Sequence, residues 1–277
     1  MNNISIISII LTLIVSLILP PVFAAVYALR HKKQGIWSAW LLGALGFFVP
    51  QILIRLPILS GLSQLSGFAA FAQTHPVVYG FGLAFTAGLF ELAGRYAVAR
   101  CLKKNLTCRR ALAAGLGHGG IEAILITGLA YLSNVVFLVM LQTGGFDAAL
   151  AQAGDASQLL AARDTLVNTH WALFLLAGFE RLLAMTCHVT MSMMVCYGVH
   201  TNRVLPWTLA CLALHTCMDS VACISLFIGR GLTLATAYTI IYILLTAITV
   251  LSIVILKTIR TRWAAETVQE VPYDSQA

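Results

Sequence analysis

The sequence predicts an all-α membrane protein, a polytopic bundle of about seven transmembrane helices, and three observations predict that class. The chain is 60% hydrophobic and 10% charged, whereas soluble domains carry roughly 25% charged residues. Seven apolar stretches are each long enough to cross a bilayer, which takes about 20 residues. Basic residues concentrate in alternate connections, as they do in multi-pass membrane proteins.

The predicted spans follow one another along the whole chain and lie at 5–29, 36–59, 76–99, 111–141, 170–198, 204–228 and 232–256. The first is a spanning helix rather than a signal peptide, because its start, MNNIS, has no positive charge and its apolar run is too long. We assign residues 1–257 to the helical bundle and residues 258–277 to a cytoplasmic tail.

Two connections carry structure of their own in this prediction. Residues 60–75 are apolar but interrupted by Gly61 and Gly67, which leaves a re-entrant piece or an eighth span as the alternatives. The connection 142–169 is rich in alanine and leucine and predicts a short amphipathic surface helix.

Loop charge predicts the orientation, because short cytoplasmic loops retain lysine and arginine. The first, third and fifth connections and the C-terminal end hold Arg30, Lys32, Lys33, Arg100, Lys103, Lys104, Arg109, Arg110, Arg203, Lys257, Arg260 and Arg262. The other side holds Arg163 and Arg230, with Arg55 near its interface. The N-terminus is therefore predicted outside and the C-terminus inside, in the cytoplasmic (inner) membrane of a bacterium. The net charge of +7 follows from this topology, so the predicted partner is the lipid bilayer and not nucleic acid.

Ionisable residues inside the spans are the main functional signal, because each costs roughly 2.5–3.5 kcal/mol to insert. They are Glu91, Arg95, His118, Glu122, Glu180, Arg181, His188, His215 and Asp219. Most fall in pairs with a spacing of four, such as Glu91 with Arg95, and residues at that spacing share one helix face. Four helices thus each present a polar stripe, which predicts one shared interior site.

The depth of each residue along its helix indicates which of these residues belong to the site. At about 1.5 Å per residue, Glu122, His188 and His215 each lie about 16 Å from the cytoplasmic ends of their spans. Glu91 and His118 lie at about 13 and 10 Å, whereas Glu180 lies near the outer surface. Two histidines and a carboxylate at equal depth are typical of catalytic zinc sites. The alternative is that the pairs are structural hydrogen bonds between packed helices.

Two local sequences add further hypotheses. In GLGHGGIEA, at 115–123, glycines surround His118 and Glu122 and would let another helix or a substrate approach closely. In MTCHVTMSMMVC, at 185–196, Met185 and Met191 share a face with His188, a soft-ligand pattern suited to Cu(I) or zinc. A soft-metal transporter is therefore one alternative, and methionine as a core filler is another.

Four motifs together resemble the YhfC family of intramembrane peptidases, relatives of PrsW and of the CAAX-protease (Abi) superfamily. They are FELAGRY at 90–96, GHGGIEA at 117–123, FERLLAMTCH at 179–188 and LHTCMD at 214–219. The resemblance covers most of the chain, beginning at QILIRLPIL. The first family motif is usually a pair of glutamates followed by a basic residue; here Glu91 and Arg95 match, and Leu92 stands at the second glutamate position.

The resemblance implies an intramembrane endopeptidase that cleaves a transmembrane or lipidated peptide from the cytoplasmic half of the bilayer. It implies catalytic roles for Glu91, Arg95, His118, Glu122, His188, His215 and Asp219. In the zinc-dependent version Glu122, His188 and His215 hold the metal and Glu91 is the base. In the metal-free, CAAX-type version a glutamate and a histidine activate water, and His215, oriented by Asp219, stabilises the oxyanion. A non-catalytic binding or bacteriocin-immunity-type protein is the remaining alternative.

Overall fold

The computed structural model describes residues 3–153 and 155–269, and side chains as far as Glu266. Within these ranges the regular elements are all helical, as predicted. Seven helices are long and apolar enough to span a membrane, which makes this a multi-pass membrane protein: α1 (Asn3–Arg30), α2 (Ile36–Ser63), α3 (Pro76–Asn105), α4 (Cys108–Thr143), α5 (Trp171–His200), α6 (Val204–Phe227) and α7 (Leu234–Glu266).

The connections are more helical than the sequence predicted. After α2, residues 60–75 contain the short helix Ser66–Thr74, which at about 1.5 Å per residue cannot cross a bilayer and so provides no eighth span. The connection between α4 and α5 holds two helices rather than one, Gly145–Gln152 and Ser157–Asn168. Asp155 Oδ1 accepts the backbone N–H of Ser157 at 2.9 Å where the second begins. That hydrogen bond lowers the pKa of the Asp155 carboxyl.

The last helix passes through the predicted bundle boundary at residue 257 without a break and continues to Gln269. Of the predicted tail, residues 258–269 are therefore helical, and residues 270–277 lie outside the described part of the chain. The division into a bundle and a cytoplasmic tail stays a prediction.

The chain forms two compact units. The first comprises Met1–Phe23 and Gly120–Leu182, and the second comprises Ala24–Gly119 and Leu183–Ala277. In the first unit, the Thr12 hydroxyl donates to the carbonyl of Phe174 at 2.6 Å. Gly178 packs so closely on Thr12 that an added Cβ would lie 2.7 Å from its hydroxyl oxygen. Small residues thus join α1 to α5 there, as is common between membrane helices.

The core of the second unit is built on the C-terminal half of α5. Met191, Met193 and Val195 are fully buried there and pack with residues of α6 and α7, such as Cys211 and Ile259. In α5, 72% of the most apolar stretch is buried, against 11–28% in the other six spanning helices. The side chains of α5 therefore face mainly other helices, whereas the other spans keep broad apolar faces for lipid.

Close backbone packing brings α2 and α4 together in the same unit. An added Cβ on Gly43 would collide with the carbonyl of Ala114, and one on Gly117 with the carbonyl of Trp40. Helices in a membrane associate through such small residues, because lipid provides no hydrophobic force between them. The glycines flanking His118 therefore serve helix approach, one of the roles predicted for them.

Candidate active site

One oxygen of Glu91 is the centre of a buried polar cluster in the second unit. Glu91 Oε2 accepts a hydrogen bond from His118 Nε2 at 3.0 Å and one from Arg95 Nη2 at 3.1 Å. Arg95 lies one turn further along α3 and forms an intrahelical ion pair with Glu91. The Glu91 side chain is 4% exposed, which means that its charge depends on these neighbours rather than on water.

Two further histidines approach the same oxygen from α5 and α6. His188 Nδ1 lies 3.7 Å from Glu91 Oε2, and His215 Nε2 lies 3.5 Å from it. The His118 and His188 rings stack with centroids 5.4 Å apart, and the His215 ring meets His188 edge-on at 5.5 Å. The four helices α3, α4, α5 and α6 thus each contribute a polar side chain to this cluster.

The helix bounds place this site at one depth. The α-helical part of α3 ends at Leu102, and α4, α5 and α6 begin or end on the same side of the membrane at Cys108, His200 and Val204. At about 1.5 Å per residue, Glu91 and the three histidines all lie about 15 to 18 Å from those ends. This distance is about half the thickness of a hydrocarbon core, which is about 30 Å.

Three members of the cluster form a potential metal site. Glu91, His118 and His188 each offer a ligand atom, and these atoms all lie within 4.8 Å of one another. Zinc–nitrogen and zinc–oxygen bonds of about 2.0–2.1 Å in a tetrahedron separate neighbouring ligand atoms by about 3.3 Å. The separations of 3.0 and 3.7 Å between Glu91 Oε2 and the two histidines are close to that value. The donor types and their spacing therefore fit a zinc ion.

Arg95 contacts the same groups that a metal would use. Its Nη2 lies 2.5 Å from His188 Nδ1, and because a guanidinium can only donate, Nδ1 must accept. Neutral His188 then carries its proton on Nε2, while His118 carries one on Nε2 to donate to Glu91. A metal ion and the Arg95 guanidinium therefore compete for Glu91 Oε2 and for the lone pair of His188 Nδ1.

Glycines bring the backbones close enough for these contacts. An added Cβ on Gly119 would lie 3.0 Å from His188 Cβ, and one on Gly88 would lie 3.1 Å from His215 Nδ1. Both distances are tighter than ordinary packing, so α4 reaches α5, and α3 reaches α6, only where no side chain intervenes. Phe47 covers His118 from α2, with ring centroids 5.5 Å apart.

Asp219 lies beside the cluster rather than in it. Its Oδ2 is 3.7 Å from His215 Nε2, and its side chain is 32% exposed. The prediction that Asp219 acts on His215 is compatible with this spacing. The two carboxylates, Glu91 and Asp219, both lie within 4 Å of the same His215 nitrogen.

Glu122 has a charged partner in the first unit. Arg181 Nη1 donates to Glu122 Oε1 at 3.1 Å, and Arg181 Nη2 donates to Glu180 Oε1 at 2.5 Å. The Glu122 side chain is 14% exposed and that of Glu180 is 40% exposed. The carboxylate that the structure groups with His188 is therefore Glu91, where the sequence analysis had Glu122. The grouping differs because a spacing of four does not fix which neighbouring helix each side chain meets.

Two polar residues near the site escaped the sequence analysis. Arg55, predicted near the membrane interface, is buried: its Nη2 donates to the carbonyl of Leu83 at 2.7 Å, and its charge acts on Glu91 and Asp219. Thr216 follows His215 and is buried as well. An arginine inside the apolar run QILIRLPIL was a usable signal, since such a charge is costly in a membrane, whereas a threonine is too common in helices to stand out.

The methionines near His188, which suggested a soft-metal site, pack against other helices. Met191 is fully buried in the core of the second unit, together with Met193 and Met194. Met185 is buried against Gly119, whose added Cβ would lie 3.2 Å from Met185 Cα. Methionine commonly fills irregular spaces of this kind.

The family model described as YhfC intramembrane metalloprotease matches residues 15–244, a range that includes every member of the Glu91 cluster. The chain belongs to this family. It is also similar to the "Uncharacterized membrane protein YhfC" of Bacillus subtilis (strain 168), with 33% identity over 175 residues that cover 63% of this chain and 68% of the relative. No solved structure matches the chain. The resemblance inferred from the four motifs is thereby confirmed at the level of the family.

Proposed function

We propose that this protein is an intramembrane metallopeptidase that hydrolyses a peptide bond in a transmembrane or lipidated peptide. The observation that carries the proposal is the convergence of Glu91, His118 and His188 from three helices, with ligand atoms within 4.8 Å of one another. The family name supports the same class of activity. Burying four ionisable side chains in lipid-facing helices is costly, and such residues generally mark a functional site.

Glu91, His118 and His188 are the residues that would hold the metal. When bound, a zinc ion supplies an activated water and polarises the carbonyl of the scissile bond. The protein must then accept the proton of the water and deliver a proton to the leaving nitrogen, so that hydroxide adds to the carbonyl carbon while the C–N bond breaks.

His215 is the proton acceptor best placed for this step. Its Nε2 lies 3.5 Å from Glu91 Oε2 and 3.7 Å from Asp219 Oδ2, so a carboxylate stands within reach of a proton that Nε2 would accept. The same proton is then available for the leaving nitrogen. This role differs from the sequence-based assignment, in which His215 stabilises the oxyanion.

Arg95 and Thr216 are the donors that would stabilise the oxyanion. In the described part of the chain, Arg95 Nε and Nη1 and Thr216 Oγ1 are buried and make no hydrogen bond. Buried donors normally have a partner, and preorganised donors in a site of low dielectric stabilise developing negative charge strongly. A substrate carbonyl beside Arg95 would provide that partner.

Access and location follow from the depth of the cluster and from loop charge. The basic connections flank the helix ends from which the site lies about 15 to 18 Å deep. The positive-inside rule places those ends in the cytoplasm, with the N-terminus outside and the C-terminus inside. The substrate would enter sideways from the cytoplasmic membrane of a bacterium.

A metal-free peptidase is the second candidate, and the contacts of Arg95 favour it. The guanidinium already bridges Glu91 Oε2 and His188 Nδ1, which are two positions that a metal would take. In that version Glu91 and His118 activate the water directly, as in CAAX-type enzymes.

Metal analysis of purified protein tests the choice between these chemistries. We expect about one zinc per chain in the wild type and none in His118→Ala or His188→Ala, with His170→Ala as the matched control because His170 is exposed on the connection before α5. Zinc in none of the folded proteins would exclude the metal version. Comparison of new peptide N-termini in membranes that contain the wild type or Glu91→Gln tests peptidase activity itself. Identical sets would contradict both versions and favour a non-catalytic binding protein.

A further inference from the structure

A second polar site lies at one membrane face of the second unit, well away along the helices from Glu91. A cavity of about 470 Å³ opens where α5 ends, α6 begins and α7 ends, and its lining includes His200, Arg203, Trp207 and Arg262. This volume falls in the range of small-molecule sites, about 300–1,000 Å³. The Glu91 cluster contributes none of the lining residues.

The acidic group in this cavity is already engaged. The Tyr197 hydroxyl donates to Glu266 Oε1 at 2.7 Å, and His200 Nε2 lies 3.5 Å from Glu266 Oε2. The His200 ring stacks on Trp263 with centroids 4.6 Å apart and an angle of 14° between the planes. Tyr197, His200 and Trp263 therefore hold the carboxylate in a fixed position at one wall.

Two arginines in the cavity remain available to a ligand. Arg203 and Arg262 both line it, and both act electrostatically on the Tyr197 hydroxyl. Neither guanidinium group makes a hydrogen bond or an ion pair with any residue that the structure describes. Against the single charge of Glu266, they leave the cavity with net positive charge. Guanidinium groups recognise phosphate through paired N–H donors, so a phosphate group is the ligand chemistry that this lining favours.

The position of the cavity identifies the source of that phosphate. The ends of α5 and α7 and the start of α6 lie on one side of the membrane, because successive spans alternate in direction. That is the side with the basic connections, which the positive-inside rule places in the cytoplasm. Trp207 and Trp263 stand at this face, where tryptophans commonly lie at headgroup level. Basic pockets between helices on the cytoplasmic side bind anionic lipid headgroups.

We propose that this cavity binds the phosphate of an anionic phospholipid headgroup in the cytoplasmic leaflet. Arg203 and Arg262 contact the phosphate, Trp207 packs on the headgroup, and Glu266 limits the affinity through its negative charge. A bound lipid would contact the ends of α5, α6 and α7. Because α5 carries His188 and α6 carries His215, the position of these histidines would then depend on the lipid composition of the membrane. The proposal does not depend on the peptidase activity.

Native mass spectrometry of the full chain with short-chain lipids tests this site. We expect phosphatidylglycerol to remain bound and phosphatidylcholine to dissociate. The double variant Arg203→Gln/Arg262→Gln should bind phosphatidylglycerol about thirtyfold more weakly. Each basic residue near the membrane surface contributes about fivefold in affinity, and the variant removes two. The matched control Lys103→Gln/Lys104→Gln changes two exposed cations at the same face outside the cavity, and should bind as the wild type does.

A variant with the opposite expected sign guards against a trivial loss of folding. Glu266→Gln keeps an oxygen that can accept the Tyr197 hydroxyl but removes the negative charge, so it should bind phosphatidylglycerol more tightly than the wild type. Three results would each overturn the proposal. The first is equal binding of phosphatidylglycerol and phosphatidylcholine by the wild type, and the second is weaker binding of phosphatidylglycerol by Glu266→Gln. The third is an equal loss of binding in the arginine and lysine double variants. Inorganic phosphate tests whether the bound phosphate group belongs to a lipid or to a soluble compound. If millimolar phosphate displaces phosphatidylglycerol completely, the cavity is a site for a soluble phosphate instead.

Discussion

Two carboxylate–arginine pairs inside the spanning helices differ in what surrounds them. Glu91 and Arg95 share their cluster with His118, His188 and His215, and the Glu91 side chain is 4% exposed. Glu122 and Arg181 are joined by Glu180, which is 40% exposed, and the described contacts of this second group include no histidine. Both pairs bring opposite charges together inside apolar helices, and in the Glu91 cluster three histidine nitrogens also lie within 3.7 Å of one carboxylate oxygen.

Under the proposed function, this difference separates a structural pair from a chemical site. An arginine alone is enough to neutralise a buried carboxylate, as Arg181 does for Glu122. Three histidines around Glu91 add nothing to that neutralisation while they stay neutral, and each must be desolvated. Their convergence is better explained by metal binding and proton transfer. The pairing of Glu122 makes it the natural control for Glu91.

Replacement of Glu91 should have the largest effect. Glu91→Gln should abolish zinc binding and reduce peptidase activity by at least about a thousandfold, as expected for a residue that acts within a catalytic unit. It should also destabilise the fold by roughly 3–5 kcal/mol, because Arg95 is left as a buried charge without its carboxylate. Zinc analysis, cleavage of a substrate found by N-terminal profiling, and thermal unfolding in detergent measure the three effects.

Two variants give this experiment its controls. Glu91→Gln/Arg95→Met removes both charges and should recover most of the stability but none of the activity. Glu122→Gln leaves Arg181 paired with Glu180, so activity should stay within about twofold of the wild type, with a stability loss of roughly 1–3 kcal/mol. A loss of zinc and activity in Glu122→Gln, equal to that in Glu91→Gln, would restore the sequence-based ligand set of Glu122, His188 and His215.

Replacement of His215 should separate proton transfer from metal binding. His215→Ala should retain zinc but lose about a hundredfold or more in activity, the usual contribution of a general base. Asp219→Asn should lose about tenfold, as is typical for a residue that supports a catalytic histidine. Loss of zinc in folded His215→Ala would instead make His215 a ligand.

Two neighbouring glycines, one beside the Glu91 cluster and one in the first unit, give the smallest expected difference. Gly119→Ala places a methyl group 3.0 Å from His188 Cβ, whereas Gly120→Ala places one 3.2 Å from Cβ of Pro20. The first should displace His188 and lower activity about tenfold, since small misplacements at a catalytic site are costly. The second lies in the first unit and should leave activity within about twofold. Equal activities of the two variants would mean that the position of His188 does not limit the reaction.

The sequence alone was sufficient for the architecture. Hydropathy predicted all seven spanning helices, because lipid requires long apolar runs and a backbone that satisfies its own hydrogen bonds. The four motifs predicted the family, and the polar stripes predicted a site shared by the third to sixth spans. Residue numbers predicted equal depth for Glu122, His188 and His215, with Glu91 and His118 nearer the cytoplasmic ends.

Only the tertiary structure decided which carboxylate joins the histidines. His118 and Glu122 share a helix face by spacing, yet His118 donates to Glu91 and Glu122 accepts from Arg181. Spacing gives a face but neither its rotation toward one neighbour nor the helix that lies there, and those are set by the close approach of residues such as Gly117 and Trp40. For the same reason the sequence could not show that Arg95 contacts both Glu91 and His188.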